Sequence, residues 1–354
     1  MNEKNALLRH PTVHEALLYE MKTEKVQCNL CERHCNIPEN KRGFCKTRMN
    51  IKGKLYTLAY GDISVHESRP IEIKPFFHFY PGSTAYTFST WGCNFTCPWC
   101  QNFHLSKNYP NPEHANYIPA EAMVRMAVDC KDDGLCVSFT EPTLLFEYCL
   151  DVFLLAQKKG LYNCFVSNGY MTPEALRMLK DAGMEAIKID MKGNNEVYKR
   201  YCAADSDIVW RNIREAKRLG MHVEVVNLVI TGVNDSEASF NGIIKRCAEI
   251  DPEIPLHFTR YQPAYKFKKP DTPMHTLEKA YRMAKDGGIK YPYVGNVPGH
   301  AYENTFCPAC GEIFIERLNY RILSCKLKDS RCPACGEQIP IVGHTRQKTY
   351  HDRM

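Results

Sequence analysis

The sequence lacks any apolar run approaching the roughly 18 residues needed to cross a bilayer, and its opening stretch, MNEKNALLRHPTVHE, is too polar for a secretory signal. No membrane partner is expected, and the cytoplasm is the predicted compartment. An excess of one charge is also missing: 46 Lys and Arg face 40 Asp and Glu, and the resulting +6 falls short of the footprint of a nucleic-acid binder. No fixed-period repeat and no low-complexity linker occurs, which excludes a solenoid or an array of short modules. What remains is 354 residues, 44% hydrophobic and 24% charged, enough for one large domain with smaller attachments.

Cysteine is not scarce. A chain of this length without an export signal keeps its thiols reduced, so its 18 cysteines read as metal ligands where they cluster. Cys28, Cys31, Cys35 and Cys45 form one group, Cys93, Cys97 and Cys100 a second, and Cys307, Cys310, Cys332 and Cys335 a third. Cys130, Cys136, Cys149, Cys164, Cys202, Cys247 and Cys325 stand alone, and most read as small buried apolar residues.

Between the outer groups the sequence alternates β-rich runs with amphipathic stretches. Strands are predicted at 85–90, 135–140, 162–168, 186–191, 222–230 and 256–262, with a further one at 291–296. Helices are predicted at 144–160, 172–183, 207–220 and 273–288; Thr172 followed by Pro173 opens one, and Gly160, Gly183 and Gly220 stop others. Repetition of strand and helix implies an α/β fold with a parallel sheet, closed as a full or partial (β/α) barrel. In such barrels chemistry sits after the C-terminal ends of strands.

The stretch WGCNFTCPWCQNFHLS (91–106) follows the first predicted strand and supplies three cysteines as CxxxCxxC with no fourth. Structural zinc sites usually pair two CxxC knuckles and close their coordination shell. Three thiolates suit a [4Fe–4S] cubane whose fourth iron takes an external ligand. The quartet in CNLCERHCNIPENKRGFC satisfies zinc, mononuclear iron or a second iron–sulfur cluster, and its spacing does not choose among them. The two CPAC knuckles at 307–310 and 332–335 flank a β-rich, basic stretch and read as a structural zinc ribbon with four thiolates.

The three-cysteine loop resembles that of radical S-adenosylmethionine (radical SAM) enzymes. Across most of its length the chain is similar to the AmmeMemoRadiSam-system radical SAM family, relatives of the pyruvate formate-lyase activating enzymes. The stretches that carry the resemblance include CNLCERHCNIPENKRGFCKTR, PIEIKPFFHFYPGS, GCNFTCPWCQN, VSNGYMTPEAL, HVEVVNLVITGVNDSE, YVGNVPGH and ENTFCPACGEIFIER. The resemblance implies a partial (β/α)6 radical SAM barrel at 85–300, preceded by a Cys-rich metal-binding region at 1–84 and followed by a zinc-ribbon-like domain at 301–354. It implies that Cys93, Cys97 and Cys100 hold the cluster and that its open iron chelates SAM. Reductive cleavage of SAM would then give a 5′-deoxyadenosyl radical that takes a hydrogen atom from an unactivated C–H bond.

The same resemblance places Trp99 beside the adenine and Glu141 of SFTEPT at the SAM amino group. It brings Asn168, Asp190, Lys192 and His257, all at strand ends, around SAM. Read from the residues alone, Trp99 is equally a packing residue, Glu141 a carboxylate at a helix N-terminus, and the others turn or ion-pair residues. Two departures stand out: the family commonly reads YNEP or FNEP where this chain has Phe139, Thr140, Glu141 and Pro142, and IPG where it has Ile230, Thr231 and Gly232.

The implied activity is modification of a protein or peptide, with a ferredoxin- or flavodoxin-like reductant. Its specific form is cobalamin-dependent C-methylation, for example of a glutamine of methyl-coenzyme M reductase. A glycyl-radical activase without cobalamin is the alternative. Neither a Rossmann-like cobalamin domain nor a DxHxxG motif is present, so a corrin would have to be held by the barrel and its flanks.

Overall fold

A computed structural model describes residues 7–327 and 329–344, so the end of the predicted 301–354 domain lies outside the described residues. The chain divides into two compact units. The first comprises the chain up to Ser68, Ala85–Ile187 and Arg211–Met221; the second comprises Arg69–Thr84, Lys188–Trp210 and the chain from His222 onward. The N-terminal cysteine segment thus shares a unit with the strands that follow it, and residues 69–84 belong to the other unit.

In the first unit, strands β1 (Thr84–Ser89), β2 (Gly134–Val137) and β3 (Tyr162–Ser167) pair in parallel, with Ala85 and Tyr162 both opposite Gly134. Nearly every residue of these strands is buried. That matches a sheet covered on both faces, and it buries Thr84, Thr87, Ser89, Asn163 and Ser167 along with the apolar residues. Strand β4 (Ala186–Asp190) crosses the division between units. In the second unit β5 (His222–Val229), β6 (Leu256–Arg260) and β7 (Pro292–Gly295) continue in parallel pairing. Within each unit the strands neighbour one another in chain order. The fold is α/β with a parallel sheet, as the alternating pattern predicts.

The helices are α1 (Ala120–Asp129), α2 (Phe146–Gln157), α3 (Pro173–Asp181), α4 (Ser206–Arg218), α5 (Glu237–Ile250) and α6 (Met274–Asp286). The predicted opening of α3 is observed: Thr172 is its N-cap and its Oγ1 accepts from the Ala175 N–H, with Pro173 at the first helical position. Gly160, Gly183 and Gly220 take the left-handed conformation, φ +69°, +104° and +72°, that ends a helix. Helices α1 and α5 are additional to the four predicted. Each had a legible start, Pro119 before α1 and the Ser236 N-cap of α5, whose hydroxyl accepts from the Ser239 N–H.

Ahead of the barrel strands, two small antiparallel sheets form from residues 14–57. After them comes a three-stranded antiparallel sheet of Thr305–Phe306, Ile313–Leu318 and Arg321–Cys325. Its hairpin turns through Asn319 and Tyr320, both at positive φ, which is the type I′ geometry that matches strand twist. Phe314, Ile315, Ile322 and Ile339 pack with Phe77, Tyr291 and Tyr293 in one core of the second unit.

Candidate active site

In the first unit the loop after β1 starts with Gly92, whose φ is +88°. A Cβ there would stand 2.9 Å from the Cys45 carbonyl oxygen, so conformation and space both require glycine. The loop therefore lies directly against the N-terminal cysteine segment. Cys93 Sγ accepts from the Phe95 N–H at 3.3 Å, Cys97 is buried, and Cys100 Sγ lies 3.2 Å from the Ser106 hydroxyl. Burial, then the nearby Glu141 carboxylate and Cys97, push the Cys93 thiol well up from its ordinary value. A cationic partner would be needed to hold it as thiolate. Trp99 is 2% exposed, which fits a packing role for its ring.

Three strand ends converge on Cys93. Asn168, after β3, donates from Nδ2 to Asn94 Oδ1 at 2.7 Å, and the same nitrogen lies 3.9 Å from Cys93 Sγ. Its Oδ1 accepts from the Tyr170 N–H and its own N–H donates to Glu141 Oε2 at 2.9 Å. Glu141, after β2, is 2% exposed and caps the short helical turn Pro142–Leu145. Its Oε1 accepts from the Thr143 N–H, the Thr143 hydroxyl and the Ser167 hydroxyl at 3.2, 2.6 and 2.8 Å. Burial pushes its carboxyl up, against the lowering effect of those hydrogen bonds. The capping carboxylate read from the residues is thus observed, and the same group ties the ends of β2 and β3 together.

Two residues ahead of Glu141, Phe139 has φ +67°, a conformation that costs a bulky L-residue about 1–2 kcal/mol. The Asn102 amide donates to its carbonyl at 2.7 Å. This strained position lies in the FTEP stretch where the chain departs from the family pattern. Such strain is typical of functional loops. Sequence reasoning missed Asn212 of α4, whose Nδ2 donates to the carbonyls of Gly169 and Met171 at 2.7 Å each and fixes the loop after β3. Nothing in its local pattern marked it, because both acceptors are main-chain atoms about forty residues away.

The remaining predicted residues lie in the second unit. Asp190 sits between Lys188 and Lys192, the latter at 2.9 Å. Burial alone would raise its carboxyl, but the two ammonium groups outweigh burial and hold it far below the usual carboxylate range. His257 is 1% exposed; its Nε2 meets Glu224 Oε2 at 2.7 Å and its ring stacks on Tyr293. Glu224 Oε1 also accepts from the N–H groups of Phe77 and His78, both at 2.8 Å, and contacts His222 at 2.9 Å. Within this unit His257 serves a buried carboxylate that anchors residues 77 and 78.

Among the described residues only Cys307, Cys310, Cys332 and Cys335 bring four ligand atoms within 4.8 Å of one another. Cys307 and Cys335 are 3.6 Å apart, Cys310 and Cys332 3.7 Å. Neither Cys93, Cys97 and Cys100 nor any three of the N-terminal quartet gather so closely. No helix of the described residues is long and apolar enough to cross a membrane.

A three-thiol loop at the end of the first parallel strand, backed by polar residues from the next two, defines a class. The model of the radical SAM superfamily matches residues 88–241, and the chain belongs to that superfamily and is an enzyme of it. Its members use a [4Fe–4S] cluster and SAM. The chain is 41% identical over 333 residues to the uncharacterized protein MJ0808 of Methanocaldococcus jannaschii, covering 93% of this chain and 99% of that one. It is 25% identical over 257 residues to a GTP 3′,8-cyclase of Nautilia profundicola, covering 65% of this chain and 76% of the cyclase. Among solved structures, a domain of pyruvate-formate lyase-activating enzyme from Bacteroides vulgatus is similar with TM-score 0.39 and 19% identity, over 46% of this chain and 99% of that one.

Proposed function

We propose that Cys93, Cys97 and Cys100 ligate the catalytic [4Fe–4S] cluster and that the enzyme modifies an unactivated C–H bond of a protein or peptide. The observation that carries this reading is the CxxxCxxC loop directly after β1, inside the matched residues 88–241. When bound, the cluster supplies the electron that splits SAM into methionine and a hydrogen-abstracting 5′-deoxyadenosyl radical. The chain's own residues do the positioning. Asn168 and Asn94 hold the backbone beside Cys93, and Glu141 locks the ends of β2 and β3, with Oε2, which carries one donor, turned to the same region.

The finer reading is C-methylation with methylcobalamin, for example of a glutamine of methyl-coenzyme M reductase. It draws on the family resemblance and on the strained departure at Phe139. The sequence offers no DxHxxG histidine to ligate cobalt, so no step is assigned to a corrin. The C-terminal quartet suits zinc: a tetrahedral ion with bonds of about 2.3 Å sets sulfurs about 3.8 Å apart, close to the two separations observed. Anaerobic reconstitution of the full chain with iron and sulfide tests the main reading. SAM cleavage to 5′-deoxyadenosine is expected, with loss in Cys97→Ala and unchanged zinc content. Cleavage that persists in Cys97→Ala overturns the assignment. Corrinoid binding with a methylated product supports methylation, and a glycyl radical on a partner supports activation.

A further inference from the structure

We infer that Cys28, Cys31, Cys35 and Cys45 hold a second, polynuclear iron–sulfur cluster rather than a single zinc or iron ion. The four cysteines line one cavity of the first unit together with Arg48 and Asn94. Two observations separate the possibilities, and neither depends on what the loop at Cys93 binds.

The first is sulfur spacing. A single tetrahedral ion draws its four thiolates to within about 4 Å of one another, and the C-terminal quartet is gathered in that way. The N-terminal quartet is not, although all four of its cysteines face the same cavity. It shares the wider spacing with the three-cysteine loop of the same chain. A cluster explains this, because each thiolate then binds its own iron or shares one of two irons separated by bridging sulfide.

The second is a buried cation with unused donors. Arg48 is 1% exposed, and its Nη2 donates to both oxygens of Glu147 at 2.8 and 2.7 Å. Its Nε and Nη1 are buried and have no hydrogen-bond partner among the described residues. The Asn94 side chain, also at this cavity, hydrogen-bonds the buried Cys31 thiol. Unmet buried donors are costly, more so on a charged group, unless an acceptor reaches them. Glu147 already neutralises Arg48, so the three N–H bonds on its Nε and Nη1 call for acceptors. Thiolates on a single ion or on a cluster can accept from Arg48, whose nearest thiols are those of Cys28 and Cys45, and a cluster adds its bridging sulfides as further acceptors.

The test uses the full chain, prepared anaerobically and reconstituted with ferrous iron and sulfide. In the variant Cys93→Ala/Cys97→Ala/Cys100→Ala, iron and acid-labile sulfide should remain in about equal amounts. Both should disappear when Cys28→Ala and Cys31→Ala are added, with the metal of the C-terminal quartet unchanged. The unsubstituted chain should carry more sulfide than the about four per chain that one cubane accounts for. Zinc or iron without sulfide in the triple variant overturns the inference, as does sulfide retained after loss of Cys28 and Cys31. Loss of SAM cleavage alone bears only on the loop.

Discussion

Replacing Glu141 by glutamine exchanges one oxygen of a buried carboxylate for an NH2 group. Oε1 accepts three donors and Oε2 one, so the amide oxygen takes the place of Oε1. The NH2 then faces the Asn168 N–H, donor against donor. Losing a hydrogen bond to a charged group and leaving that N–H buried costs about 2–4 kcal/mol. Part is offset because the neutral amide avoids the burial penalty that pushes the carboxyl up, leaving roughly 1–3 kcal/mol of lost stability. Glu141→Ala abandons all four donors and should cost more than Glu141→Gln. Urea unfolding of the anaerobic protein, followed by the midpoint at constant slope, measures both. A Glu141→Gln cost below about 0.5 kcal/mol, or an alanine variant no worse than the glutamine, would refute the assignment of Glu141 as the tie between β2 and β3. Weakened SAM binding at an unchanged midpoint would instead assign it to the ligand.

Glu72 is 1% exposed, accepts from the Gly82 N–H, and is pushed up by burial to about 7. The folded state therefore keeps its proton more tightly than the unfolded chain, and stability should fall as pH rises from about 4.3 to about 7 and level off above. Glu72→Gln should flatten that slope, by up to about 3 kcal/mol across the window, in unfolding midpoints measured against pH. Gly92→Ala meets both the positive φ and the Cys45 carbonyl, so it should destabilise by about 2–4 kcal/mol and lower the iron content of the loop; an unchanged midpoint would show that the backbone there is free to move. Removing metal from the C-terminal quartet with a thiol reagent should loosen the core around Phe314 and Ile322, since Cys307 and Cys332 belong to it. Hydrogen exchange in Ile313–Leu318 should accelerate severalfold while β1 to β3 stay protected.

The sequence by itself determined the alternation of strands and helices, because short β-rich runs recur between amphipathic stretches and helix ends write Thr-Pro and glycine. It also determined which cysteines travel together, since knuckle spacing is local. It left the metal of each quartet open, because spacing along the chain says nothing of how far apart the sulfurs stand in space. Only the tertiary structure decided that the C-terminal four converge and the N-terminal four do not, and that Arg48, far from Glu147 in sequence, pairs with it beside the cysteine cavity. Likewise the roles of Asn168, Asn212 and His257 rest on partners tens of residues away, and a polar residue at a strand end does not reveal which distant group will satisfy it.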